Sequence, residues 1–130
     1  MHELVKIEVK DGQQLASGRE LWERLEIKTP YTQWFERMVE YGFVENKDYH
    51  LHSQKSESRN VTGFKVTQDH LLTIPMAKEL CMIQRNDQGN RLRQYFIKCE
   101  EAWNSEDMIL ARANQILQKK VISYTERIEL

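Results

Sequence analysis

His50 and His52, one residue apart, come nearest in this 130-residue chain to a metal-ligating pair. On a strand both would project to one side, and Asp48 or His70 would have to complete the set. The spacing matches no standard site. The two cysteines, Cys81 and Cys99, fall at apolar positions of helical patterns instead of joining a Cys/His cluster, so no metal is expected. Nucleophilic and phosphate chemistry find no better footing. The chain has no Gly-x-Ser-x-Gly elbow and no glycine-rich phosphate loop, and the adjacent Glu100 and Glu101 point in different directions on a helix. These residues read as a non-enzymatic protein without a cofactor, one that acts by binding.

What it could bind is constrained by charge. Nineteen Lys and Arg against 20 Asp and Glu leave a net charge of −1, so no long-range field holds the whole molecule on nucleic acid or a membrane. Locally the charges separate. Ser17 to Glu45 carries four basic and six acidic residues, whereas Lys78 to Lys98 carries five basic and two acidic. The second stretch supplies the candidate partner-binding residues Lys78, Arg85, Asn86, Arg91 and Arg93, because exposed Arg beside a turn is a common interface anchor. If DNA were bound, Lys78, Arg85, Arg91, Arg93 and Lys98 would be its footprint. No apolar run reaches membrane length and no basic segment leads into an apolar stretch at the start, so a cytoplasmic protein is expected.

The elements that must carry these residues follow from periodicity. Leu4 to Val9 alternates apolar with polar and meets Asp11-Gly12, a half-buried strand entering a tight turn. Ser17 with Glu20 three residues on forms a capping box for a short helix ending near Glu26, with Leu21, Trp22 and Leu25 inward. Thr29 and Pro30 stand at an N-cap and first helical position. Tyr31, Trp34, Phe35, Met38 and Val39 follow on one face, and Gly42 stops the helix. Its outward residues, Thr32, Gln33, Glu36, Arg37, Glu40 and Tyr41, offer two carboxylates against one guanidinium. The helix-turn-helix outline of this pair therefore carries a face that repels phosphate.

Tyr49–His52 and Val61–Val66 are expected to pair as a hairpin, joined by a polar loop from Ser53 to Asn60. Thr73 caps a helix with Pro75 in its first turn and Met76, Ala77, Leu80, Cys81 and Ile83 inward. Arg85 to Gly89 is expected to break it. A further helix from about Asn90 to Trp103 buries Leu92, Tyr95, Phe96, Cys99, Ala102 and Trp103. The aromatic residues Trp22, Trp34, Phe35, Tyr95, Phe96 and Trp103 are thus core and not base-stacking platforms, with Trp103 the most open. The fold class is α+β: a small antiparallel sheet or hairpin packed with four short helices, then an extended C-terminal helix. Residues 1–104 form the domain and 105–130 a helical tail.

Ser105 with Glu106 and Asp107 starts that tail helix. Along it Leu110, Ala113, Leu117, Val121, Tyr124 and Ile128 recur at intervals of three or four, a narrow seam suited to pairing with another helix or to folding back on the domain. Self-association into a homo-oligomer is expected through this seam. The chain stops at Leu130 without a helix-stop signal, so the natural protein is expected either to continue or to have been cut there.

Several segments in order carry a family resemblance. Ala16-Ser17-Gly18-Arg19-Glu20-Leu21, Trp34-Phe35-Glu36-Arg37 and Tyr41-Gly42-Phe43-Val44-Glu45 come first. Met76 to Met82, Arg85 to Gly89 and Arg93 to Glu100 follow. Together, over roughly residues 14–103, they resemble the AntA/AntB antirepressor domain of bacteriophages. Pro75 departs from it, standing where an acidic helix-start residue is expected, and Ser53 to Gly63 has no clear counterpart. The resemblance implies a protein that contacts and counteracts a prophage repressor in the bacterial host, favouring lytic growth, often with a further C-terminal domain. Related phage modules, KilA-N and Bro-N, suggest the alternative of a DNA-binding transcription regulator.

Overall fold

A computed structural model describes the backbone of residues 4–57 and 64–128 and the side chains of 4–52 and 68–125. Its element order is β1 (Ile7–Lys10), β2 (Gln13–Ser17), α1 (Gly18–Arg24), α2 (Tyr31–Val39), β3 (Tyr49–Glu57), β4 (Phe64–Thr73), α3 (Ile74–Gln84), α4 (Asp87–Trp103) and α5 (Glu106–Ile128). The strands form one antiparallel sheet in the order β1-β2-β4-β3, so the fold is α+β with a long C-terminal helix. Asp11 and Gly12, at φ of 52° and 73°, make the two-residue primed turn whose twist suits a hairpin. Ser17 accepts from the Glu20 backbone N–H, Thr73 from that of Met76 and Ser105 from that of Met108, so three of the four caps read from the sequence form. Among the described residues no helix is long and apolar enough to cross a membrane.

Several expectations change in the structure. The segment after Asp11-Gly12 is not only a turn before a helix. Gln13 to Ser17 is a second strand, paired to β1 and, through Leu15, Ala16 and Ser17, to β4. Ser53 to Asn60, expected as a loop, is strand as far as Glu57, with every position from Tyr49 to Glu57 paired to β4. Backbone pairing needs no apolar side chain, so a polar strand of a two-stranded ribbon leaves no periodic signal. Of the expected second hairpin strand, Val61, Thr62 and Gly63 lie outside the described residues. The α2 N-cap is Pro30, not Thr29, and it has no side-chain cap bond; the Thr29 carbonyl instead accepts from the Trp22 indole N–H at 2.8 Å.

The break between α3 and α4 is shorter than expected. Only Arg85, in the left-handed region at φ 52°, and Asn86 separate the helices, and Gly89 lies buried inside the first turn of α4. A Cβ on Gly89 would overlap the Cys81 backbone carbonyl, so the glycine serves close helix approach. Ala102, expected inward, is exposed.

The chain divides into two compact units, Met1–Phe96 and Ile97–Leu130. In the first, Val5, Leu21, Leu72, Met76, Leu80 and Phe96 are fully buried, and Tyr31, Trp34, Phe35 and Met38 bury the inward face of α2 as its spacing requires. The buried Tyr95 donates its hydroxyl hydrogen to the Val5 carbonyl at 2.7 Å, fastening the N-terminal segment to α4. The Trp34 indole nitrogen is the buried side-chain polar atom without a partner among the described residues. In the second unit the Arg112 guanidinium lies 3.9 Å from the centre of the Trp103 ring and donates to the Trp103 carbonyl at 2.7 Å, locking the turn between α4 and α5.

Candidate functional site

Asp69, on β4 and 2% exposed, is a buried carboxyl with three hydrogen bonds among the described residues. Its Oδ2 accepts from the Ser17 hydroxyl at 2.5 Å, and its Oδ1 from the backbone N–H groups of Arg19 at 3.0 Å and His70 at 2.6 Å. A carboxylate thus sits against the first turn of α1, where orphan N–H donors and the helix dipole both favour negative charge. The Glu20 carboxylate, which the capping-box pattern would turn back on Ser17, accepts from the Lys6 backbone N–H at 3.0 Å and ties the chain before β1 to α1.

Beside Asp69 lies a ring of aromatic contacts. The Tyr31 hydroxyl shares a 2.6 Å hydrogen bond with Nδ1 of His70, the donor being set by the imidazole tautomer. His70 stacks on Phe35 with ring centres 3.7 Å apart and planes 8° from parallel. The Arg19 guanidinium covers the Tyr31 ring at 4.4 Å and donates through Nε to the Gln68 carbonyl. A Cβ on Gly18 would overlap the Tyr31 hydroxyl, so only glycine leaves room for this approach. Burial, with the Asp69 charge adding to it, pushes the Tyr31 hydroxyl far above the usual phenol range. Burial also holds the His70 imidazole below its ordinary value, outweighing Asp69. The Cys81 thiol is pushed up to about 12 by burial, against the weaker pull of Arg93. The Tyr31 and Cys81 shifts run opposite to what an activated nucleophile requires. The cluster locks α1, α2 and β4 together.

His70 is therefore committed to Tyr31 and Phe35. Register pairs it with Leu51, which puts it on the opposite face of the sheet from His50 and His52. Asp48 accepts from the Val44 backbone N–H at 2.8 Å. Among the described residues no group of three or more His, Cys, Asp and Glu is placed to hold a metal ion.

The five residues proposed as partner contacts do not form one patch. Arg91 lines a cleft of about 240 Å³ with Leu4, Glu23, Arg24, Glu26 and Gln88. Arg93, two residues on and so about 160° round α4, lies on the side of the Cys81 thiol that it influences. Lys78 is half-buried on α3, and Arg85 is the exposed C-cap of that helix. Asn86 is a cap: its Oδ1 accepts from the Gly89 N–H at 2.8 Å.

Sequence reasoning missed a second cleft, of about 340 Å³, lined by Lys6, Glu8, Ser17, Arg19, Glu20, Glu23 and Asp69. Glu23 lines both clefts, so α1 carries a continuous mixed-charge surface. Its acidic members are Glu8, Glu20, Glu23 and Glu26, and its basic ones Lys6, Arg19, Arg24 and Arg91. The excess of acidic residues between Ser17 and Glu45 was the one available signal, and it did not say which of them share a face.

The family model for AntA/AntB antirepressors matches residues 16–86. The chain belongs to the AntA/AntB antirepressor family. No curated protein and no solved structure matches it. Antirepressors are regulatory proteins of bacteriophages, and the match spans this antirepressor from the end of β2 to the cap of α4. Ser17, Arg19, Glu20, Glu23, Arg24, Glu26 and Asp69 fall inside it, while Lys6, Glu8, Arg91 and the tail fall outside. The resemblance read over Arg93 to Glu100 also lies beyond the matched residues.

Proposed function

We propose that this antirepressor binds a phage repressor directly through the mixed-charge surface of α1 and thereby removes the repressor from its operator. The reading is carried by one observation: Glu23 joins two clefts into a single surface, built on a helix that Asp69 and Glu20 anchor at both levels. A repressor's DNA-binding face is basic, because it must neutralise phosphates. Glu8, Glu20, Glu23 and Glu26 offer carboxylates to such a face, and Lys6, Arg24 and Arg91 offer partners to its acidic rim. A protein that prefers the DNA-free repressor shifts the equilibrium by its differential affinity, and no turnover is involved. The encounter takes place in the cytoplasm of the bacterial host.

The test is a pull-down with tagged residues 1–130 from a nuclease-treated lysate of a lysogenic host, with the double variant Glu20→Arg, Glu23→Arg in parallel. Retention of a repressor by the wild type and its loss by the folded variant is the expected result. Retention by both moves the contact to Lys78, Arg85, Asn86 and Arg93, which Arg85→Glu with Arg93→Glu then probes. Partners recovered only without nuclease would make DNA the ligand and overturn the proposal.

A further inference from the structure

The tail helix α5 repeats with a period of 11: Leu110, Ala113 and Leu117 are followed by Val121, Tyr124 and Ile128. Eleven residues in three turns keep a stripe nearly parallel to the helix axis, so two such helices pair almost straight, with a slight right-handed twist. The described members are open to solvent: Leu110 is 60%, Leu117 59%, Val121 61% and Tyr124 60% exposed. A lone helix of 23 residues draws little stability from propensity alone and depends on packing of its apolar face.

We propose that this seam is covered by the same seam of a second copy, running antiparallel with the two Leu117 residues at the dyad. The spacing of the seam from Leu110 to Tyr124 is symmetric about that point. Antiparallel pairing sets Ala113 against Val121 and Leu110 against Tyr124, so small meets branched and long meets aromatic in the two layers flanking Leu117. Parallel pairing in register does the reverse. It stacks Tyr124 on Tyr124, leaves a gap where Ala113 meets Ala113, and faces Glu106 with its own copy on the seam itself. Volume chooses the antiparallel arrangement. The pairing holds whatever the first unit binds, and it presents the α1 surface twice to a partner.

Sedimentation equilibrium of the full chain at tens of micromolar should give twice the 15.6 kDa chain mass. Leu117→Asp should reduce it to the monomer, with affinity weakened by a factor of a hundred or more. Ile122→Asp, equally exposed at 59% but about 140° round the helix, should leave the dimer intact. A monomeric wild type, as when α5 folds back on its own chain, or a dimeric Leu117→Asp overturns the proposal. Orientation is read in a Cys99→Ser background. Ala113→Cys mixed with Val121→Cys should cross-link on mild oxidation, whereas Ala113→Cys alone should not, its two copies lying about 12 Å apart along the axis. Rapid cross-linking of Ala113→Cys with itself would make the pair parallel and refute the dyad at Leu117.

Discussion

Replacing Asp69 with Asn tests whether the buried carboxylate anchors α1 to the sheet. The side chain keeps its shape but loses its charge, and all three of its bonds, to the Ser17 hydroxyl and to the N–H groups of Arg19 and His70, lose charge assistance. A hydrogen bond to a charged acceptor contributes about 1.5–3 kcal/mol and a neutral one about 0.5–1.5, a difference of about 1–1.5 per bond, so the loss over three bonds should total roughly 3–4.5 kcal/mol. In a unit of this size that lowers the melting temperature by roughly 12–25 °C. Asp69→Ala should cost roughly 4–6 kcal/mol, because the two backbone donors are then buried without partners. That figure approaches the whole stability of an ordinary domain. Urea unfolding at pH 7, followed by tryptophan fluorescence, measures both. Ser17→Ala combined with Asp69→Asn should cost less than the sum of the single changes, since they share one bond. A loss below about 0.5 kcal/mol for Asp69→Asn, the scale of an ordinary surface substitution, would refute the anchoring role.

Two other perturbations follow from the same packing. Gly89→Ala gains up to about 1 kcal/mol in helix propensity but forces the Cys81 carbonyl away, at about 1–3 kcal/mol, so net destabilisation is expected; a stabilised variant in thermal melting would contradict the close approach of α3 and α4. His70 titrates below its ordinary value of 6.5 in the folded protein. Well above pH 6.5 it is neutral in both states; as pH falls towards about 6.5 the unfolded chain takes up the proton first, so stability declines through that value until the folded one is passed. Urea midpoints between pH 7.5 and 5.5 should show this decline, and His70→Gln should flatten it. An unchanged slope in the variant would assign the decline to another group.

The sequence alone settled what short-range physics controls. Ser17, Thr73 and Ser105 cap helices because a hydroxyl reaches an N–H three residues on, and the α2 stripe from Tyr31 to Met38 is buried because helix periodicity puts it on one side. The family, too, was legible in local motifs between Ala16 and Asn86. Tertiary structure decided everything that depends on distant partners. Strand β2 and the polar half of β3 exist because their backbones pair, and pairing leaves no mark on a polar side-chain pattern. Asp69 lies 52 residues from Ser17, and nothing in either local context announces their bond. Arg91 and Arg93 read as one basic cluster, yet the rotation of two helical steps sends one to the acidic edge of α1 and the other towards Cys81. Charge counts sum along the chain, whereas a binding surface is assembled across it.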